Sequence, residues 1–110
     1  MKKKYRIKKN EEFQAIIKKK KSIANQKYVI YYRNNNEHLK VGISVSKKLG
    51  NAVVRNKIKR QMRMMVQQVF DKTQKKDFII IVRNKYLNDS FLINKKDLEY
   101  LYNKINKRMD

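Results

Sequence analysis

The chain has 110 residues, no Cys and a formal net charge of +21. A chain of this length fits one domain with one modest core, and the lack of Cys excludes disulfides, thiolate zinc sites and a cysteine nucleophile. Because like charges at this density repel one another in a compact protein, the composition predicts a polyanionic partner.

The first predicted element is a helix over residues 10–20. Asn10 is the expected N-cap, and the acids Glu11 and Glu12 suit the positive end of the helix macrodipole. Three apolar residues fall on one face of this helix: Phe13, Ile16 and Ile17. Lysines occupy residues 18–21 and suit the negative end of the same dipole.

Two segments, Lys27–Arg33 and Leu39–Ser46, are rich in β-branched and aromatic residues, and an Asn-rich turn separates them. They are predicted to form a β-hairpin. Alternation along the first segment places its side chains on two faces. One face holds Tyr28, Ile30 and Tyr32, and the other holds Lys27, Val29, Tyr31 and Arg33. One face is expected to pack on the core, which leaves the other for a ligand.

The second half of the chain predicts a helix, a strand and a helix. Asn51 is the expected N-cap of a helix that runs to about Phe70, and Phe78–Arg83 has the composition of a buried central strand. Asn94 is expected to start the last helix, whose apolar stripe is Leu98, Leu101, Tyr102 and Ile105. The order of elements predicts one α+β domain over residues 1–110, with helices packed against a small mixed sheet.

The helix after Asn51 is strongly basic on one face. It carries five basic residues within Arg55–Arg63, and no acid occurs within His38–Phe70. At ~100° per residue its apolar and basic residues separate into two arcs. The basic arc holds Arg55, Asn56, Lys59, Arg60 and Arg63, with Lys57 away from it. A solvated face usually mixes charges and gains i,i+4 ion pairs, so this one is predicted to bind a nucleic acid backbone.

Several classes of protein share these features. RNA and DNA both fit the basic helix, which would also adhere to an anionic membrane. A structural RNA-binding protein, such as a ribosomal protein, is the main alternative, while a DNA-binding protein lacks support because no helix-turn-helix with a Gly turn is present. A stand-alone nuclease is least favoured, since the acids are scattered and the only histidine, His38, lies in the predicted turn. No catalytic residue and no metal ligand is predicted.

Residues 41–63, VGISVSKKLGNAVVRNKIKRQMR, resemble the signature of the bacterial ribonuclease P protein subunit, whose arginine-rich helix typically reads G-N-A-V-x-R-N-R-x-K-R. Residues 6–32 are similar to the N-terminal part of that family. The resemblance implies a ribosomal protein S5 domain 2-like fold with a left-handed βαβ crossover, although general rules favour a right-handed one. It also implies an accessory subunit of an endoribonuclease, in which the partner RNA performs the chemistry and the 5′ leader of precursor tRNA is removed.

The resemblance implies two sets of binding residues. Those expected to face the catalytic RNA are Lys47, Lys48, Arg55, Asn56, Lys57, Lys59, Arg60 and Arg63. Those expected to line a leader-binding cleft between the first helix and the sheet are Phe13, Ile17, Val29 and Tyr31. Phe13 and Tyr31 are suited to stack on single-stranded nucleotides, and core packing is the alternative role for both.

Three positions depart from the family pattern. Lys57 replaces an Arg, which keeps the charge and loses the planar fork. Ile17 stands where an aromatic residue is common, and Lys20 and Lys21 replace a Gly-Thr or Gly-Ser turn.

The expected partners are ribonuclease P RNA, in a 1:1 complex, and precursor tRNA. Magnesium is expected in the RNA–protein holoenzyme, and no cofactor is expected on the protein alone. The N-terminal residues lack the apolar core of a secretory signal, and no apolar run approaches the ~20 residues of a membrane span, so the expected location is the cytoplasm.

Overall fold

The computed structural model describes residues 1–108. Its α-helices are α1 (Asn10–Lys18), α2 (Ala52–Val69) and α3 (Phe91–Arg108). Its strands are β1 (Ser22–Ala24), β2 (Tyr28–Asn34), β3 (Lys40–Val45) and β4 (Lys76–Val82). Short 3-10 turns occupy Lys3–Tyr5, Lys47–Leu49 and Asn84–Asn88. The predicted α+β class, with helices on a small mixed sheet, is confirmed.

The strands form one sheet in the order β1-β2-β4-β3. β4 is antiparallel to β2 and parallel to β3, so the predicted hairpin between β2 and β3 is wrong. β4 is nearly continuously apolar and buried on both faces, which favours a central position between two neighbours. The hairpin that does form joins β1 and β2, with Ser22 opposite Tyr31. The connection from β3 to β4 passes through α2, as in a βαβ unit.

The two faces of the sheet pack against different helices. One face packs on α2 and α3 in the main core, to which the sheet contributes Tyr28, Ile30, Tyr32, Phe78, Ile80 and Val82. The other face packs on α1 in a smaller cluster built from Ile7, Ile16 and Ile79, with Phe13, Tyr31 and Ile81 partly buried around it. The prediction that Tyr28 and Tyr31 lie on opposite faces of β2 is therefore confirmed.

Lys27 departs from that alternation. It was expected on the face of Tyr31, but it immediately precedes β2 and is buried, with Nζ 2.7 Å from Asp89 and 2.5 Å from Asp97 of the α3 region. The Asn25 side chain accepts hydrogen bonds from the backbone N–H groups of Lys27 and Tyr28, so this segment is a turn and not yet a strand. The Lys27 ammonium thereby joins the start of β2 to α3.

Two helices begin at other residues than predicted. Lys9 precedes α1 and no side chain caps it, so Asn10 is its first residue and not its N-cap. The last helix begins at Phe91, three residues before Asn94, because Ser90 accepts the N–H of Ile93 at its side chain. Asn94 is buried inside α3 and donates its amide to the carbonyl of Tyr86 at 3.0 Å. The residue predicted as a cap therefore links α3 to the turn that precedes it by a buried hydrogen bond.

Within residues 1–108, none of the helices has both the length and the apolar character needed to cross a membrane.

Candidate nucleic-acid interface

The turn before α2 sets where the basic helix starts. Gly50 has φ 147°, in the region that favours glycine, and a Cβ there would lie 2.9 Å from the Val54 side chain. Asn51 follows as the N-cap, and its Oδ1 accepts the backbone N–H of Val54 at 3.1 Å. The predicted cap is confirmed, and it satisfies one of the four free N–H groups at the start of α2.

Lys47 and Lys48 lie in the 3-10 turn just ahead of this cap, and both are exposed. The Ser46 side chain accepts the backbone N–H of Lys48 at 3.0 Å and so holds the turn in place. Lys48 also borders a groove with Arg83 and Lys85, which follow β4. The sequence analysis missed these two cations, although basic residues directly after a buried strand are a signal that it could have used.

α2 is held by its apolar face. The main core buries its apolar residues Ile58, Met62, Met65 and Val66, as the predicted separation of apolar and basic residues on this helix requires. The opposite side of the helix carries the predicted RNA-facing residues in two groups. Asn56, Lys57 and Arg60 are exposed, whereas Arg55, Lys59 and Arg63 are half-buried along one flank. The expectation that the whole basic arc faces outward is therefore wrong for Arg55, Lys59 and Arg63. These residues are four positions apart, so they form a row along the edge of the packed face of α2.

Lys57 lies on the other flank. It borders a pocket with Gln61 and Tyr86, between α2 and the turn that precedes α3. Its position confirms that it stands apart from the main basic arc.

No acid among the described residues 1–108 pairs with the basic side of α2. Within residues 1–108, Lys27, Arg33 and Lys40 form ion pairs with acids, and no cation of α2 does so. Nε of Arg55 is buried without a hydrogen-bond partner. Burial and the nearby charge of Arg6 lower the pKa of the Arg63 guanidinium. The free protein thus keeps an unpaired cationic face at a cost in stability, as expected of a surface that binds a polyanion.

The predicted cleft residues lie on the other side of the sheet. Phe13 and Ile17 of α1 and Val29 and Tyr31 of β2 are all half-buried. Phe13 and Tyr31 meet at the small cluster around Ile79, and Val29 pairs across the sheet with Ile81, which borders the same cluster. Each aromatic ring therefore has one part packed and one part open to solvent.

Among residues 1–108, no three His, Cys, Asp or Glu side chains come together to hold a metal ion. Nε2 of His38 lies 2.7 Å from the carbonyl oxygen of Lys4, and its ring packs edge-on against Tyr5. This histidine therefore ties the β2–β3 loop to the N-terminal segment.

These features define a class: a small α+β protein that presents an unpaired cationic helix on one side of its sheet and a pair of half-buried aromatic residues on the other. Such a combination suits RNA, because a basic face can follow a phosphate backbone and aromatic rings can stack on unpaired bases.

Comparison with known proteins gives the family. The family model described as Ribonuclease P matches residues 1–106. A ribonuclease P protein component from Bacillus velezensis is 48% identical over 106 residues, which are 94% of this chain and 91% of that protein. One from Mycoplasma capricolum is 57% identical over 90 residues, which are 79% of this chain and 83% of that protein. The RNase P protein of Staphylococcus aureus has a solved structure with a TM-score of 0.84 and 45% identity, covering 96% of this chain and 98% of that one.

The chain belongs to the ribonuclease P protein family. It is a subunit of ribonuclease P, the enzyme that processes the 5′ end of tRNA, and membership implies the RNA of that enzyme as its partner. This assignment disfavours a purely structural role such as that of a ribosomal protein.

Proposed function

We propose that α2 binds the RNA subunit of ribonuclease P while the cleft between α1 and the sheet holds the 5′ leader of precursor tRNA, and that the RNA performs the hydrolysis. The observation that carries this proposal is the unpaired cationic face of α2. The two binding sites lie on opposite faces of one sheet, so both can be occupied at once.

The RNA-facing set extends from the turn at Lys47 and Lys48 along α2. Arg55, Arg60 and Arg63 present planar forks that fit phosphate oxygens, and Lys57 and Lys59 act as mobile point charges. Asn56 is exposed among them and can bond sugar or base edges. All of these residues belong to one helix and the turn before it, which supports one RNA per protein.

The cleft suits a single strand of variable sequence. Stacking on Phe13 and Tyr31 depends on the flat face that all bases share, and Val29 and Ile17 add apolar contact without reading base edges. Many precursor tRNAs with different leaders would therefore be held similarly. Ile17 offers no ring, so we expect stacking to depend on the other two residues.

Catalysis is attributed to the RNA. A magnesium site needs convergent oxygen ligands, and residues 1–108 hold no cluster of carboxylates that fits one. We therefore assign magnesium to the assembled RNA–protein complex and derive no step of the protein through it. The protein's part is to neutralise phosphates where RNA helices approach each other, which reduces the need for magnesium.

The test is single-turnover cleavage of a precursor tRNA by ribonuclease P RNA at low magnesium, with and without the protein. We expect a large gain in rate, with cleavage at the mature 5′ end. A protein that binds the RNA but gives no gain would support a structural RNA-binding role instead. The variant Lys96→Gln, which removes one exposed charge from α3, serves as a control for net charge.

A further inference from the structure

Arg6 lies outside the predicted interface, yet the fold brings it to the basic side of the protein. The N–H of Ile7 donates to the carbonyl of Val41 at 3.0 Å, which lays residues 6 and 7 along the outer edge of β3. Ile7 is buried in the small cluster on the α1 side. Since successive side chains of an extended chain alternate, Arg6 projects to the opposite side, where α2 lies.

Arg6 and Arg63 lie on the same side of the protein, because Tyr5, which precedes Arg6, and Gln67, one helical turn after Arg63, line one cavity. The charge of Arg6 acts on the Arg63 guanidinium, and both side chains are half-buried. Nε of Arg6 is buried and has no hydrogen-bond partner. Within residues 1–108 neither guanidinium has an ion-pair partner. Two like charges on one side of the protein destabilise it, and no ion pair within residues 1–108 compensates for them.

We propose that Arg6 and Arg63 together bind one phosphate group of the ribonuclease P RNA, so that the RNA interface extends from α2 onto the N-terminal segment. This inference rests on the proposed function of α2. A phosphate presents several oxygens, and two guanidinium forks can bond it from two sides. The phosphate would replace the repulsion between the two arginines with two attractive contacts.

The surface next to Arg6 and Arg63 is also cationic and contains a cavity. Gln67 follows Arg63 by one helical turn and lines a cavity of about 360 Å³ together with Met1, Lys2, Tyr5 and Lys72. The cavity has cationic walls and one aromatic ring, so the nucleotide next to the bound phosphate has room there. The sheet separates this region from the cleft at α1, which is why we assign the phosphate to the RNA subunit and not to the leader.

The test measures binding of ribonuclease P RNA to the wild-type protein, Arg6→Gln, Arg63→Gln and the double variant, as a function of salt concentration. We expect Arg6→Gln to weaken binding about tenfold and to reduce the slope of log K against log salt by roughly 0.7 to 0.9. Because the two arginines share one phosphate, the double variant should lose less affinity than the two single losses combined. Arg6→Lys should keep the slope while lowering affinity, since it keeps the charge and loses the fork.

Several outcomes would overturn the inference. The inference is wrong if Arg6→Gln binds the RNA as tightly as the charge control Lys96→Gln does. It is also wrong if the losses of affinity in the two single variants add fully in the double variant. A loss confined to precursor tRNA, with binding of the RNA subunit unchanged, would place Arg6 on the leader instead. Failure of the wild-type protein to bind the RNA would overturn the proposed function itself, which distinguishes the two failures.

A folding defect is separated by thermal unfolding of the free protein. Removing the charge of Arg6 relieves its repulsion with Arg63, so we expect Arg6→Gln to melt at the same or a higher temperature than the wild type. Weaker RNA binding together with unchanged or increased stability supports a binding role. A lower melting temperature that accounts for the whole loss of binding would contradict it.

Discussion

The ring of Phe13 lies directly against the backbone of Gly42. A Cβ built on Gly42 would lie 2.6 Å from Cζ of Phe13 and 2.8 Å from Cδ1 of Ile79, both closer than real side-chain contacts. Because Gly42 has no side chain, α1 can approach the sheet and hold Phe13 at the edge of the proposed leader site. The shape of the proposed leader site thus depends on a residue that would itself touch no RNA.

Gly42→Ala should destabilise the protein. The added methyl group must displace a ring and a buried isoleucine, so we expect the free energy of unfolding to fall by about 1–3 kcal/mol, measured by urea denaturation. The same change in a Phe13→Leu background should be less destabilising, because leucine has no atom where Cζ of Phe13 lies. Equal losses in the two backgrounds would show that Phe13 is not the obstacle.

The ion pairs of Lys27 should contribute more to the free energy of unfolding than ion pairs on the surface do. Burial alone would lower the pKa of the Lys27 ammonium, but hydrogen bonds to Asp89 and Asp97 and their negative charges raise it. Lys27→Ala leaves two partly exposed carboxylates without a partner, and we expect a loss of about 1–3 kcal/mol in the free energy of unfolding.

The matched control for Lys27 is Lys40→Ala. Lys40 is half-buried and pairs at 3.4 Å with Glu37, whose side chain is exposed, so the loss of this pair should change stability by at most about 0.5 kcal/mol. If both variants lost the same stability, burial would not be the source of the effect.

Stability should fall in alkaline solution. Burial raises the pKa of Tyr86 to about 12 and also raises the pKa of Tyr28. The folded protein keeps these protons at a pH where the unfolded chain, with an ordinary tyrosine pKa of 10.0, releases them. The stabilisation is therefore complete below about pH 10 and declines as the pH rises towards about 12. The raised pKa of Lys27 acts in the same direction at slightly higher pH.

Tyr86→Phe provides the test of this pH dependence. The variant loses the hydrogen bond to Gln61, 2.7 Å long, and should be about 1 kcal/mol less stable at neutral pH. It should also lose less stability than the wild type as the pH is raised from about 9 to 11, because it has one ionisable group fewer. Parallel stability curves for the two proteins would rule out Tyr86 as a contributor.

Tyr31→Ala should affect precursor tRNA selectively. If Tyr31 stacks on the leader, the holoenzyme should bind precursor tRNA about tenfold more weakly and bind leaderless tRNA as before. Equilibrium binding of both RNAs measures this difference. Tyr100→Ala, at an exposed position of α3, is the control and should leave both affinities unchanged. Equal losses for both RNAs in Tyr31→Ala would remove Tyr31 from the cleft and leave it a packing role.

Lys20→Gly should stabilise the protein. Lys20 has φ 59°, a left-handed conformation that is unfavourable for a residue with a side chain and that glycine adopts readily. We expect a gain of roughly 0.5–1 kcal/mol in the free energy of unfolding. Lys19→Gly is the control, since Lys19 has φ −66° and glycine there should destabilise the end of α1. A loss of stability in Lys20→Gly would mean that its side chain makes a compensating contact.

The sequence predicts best what depends on nearby residues. The cap at Asn51, the buried face of α2 and the opposite orientations of Tyr28 and Tyr31 follow from spacing alone, and all three are confirmed. The family resemblance, which rests on residues 41–63 and 6–32, gives the particular fold and the partner.

The errors concern contacts between distant parts of the chain. The turn before Leu39 looks like a hairpin turn, but no local signal shows that β4 enters between the two strands. Asn94 has the residue type of an N-cap, but it lies inside α3, where its side-chain amide donates to the carbonyl of Tyr86. Arg6 has no signal of its own, because its importance depends on the pairing of Ile7 with Val41.

The central position of β4 also bears on how the protein is made. β2 and β3 are synthesised before β4, and neither can complete its hydrogen bonding until Lys76–Val82 is available. Folding on the N-terminal two thirds alone would leave two unsatisfied strand edges next to each other. We therefore expect the sheet to form late in synthesis, through contacts of high sequence separation, and the newly made chain to remain open to premature pairing with other molecules until its last third emerges.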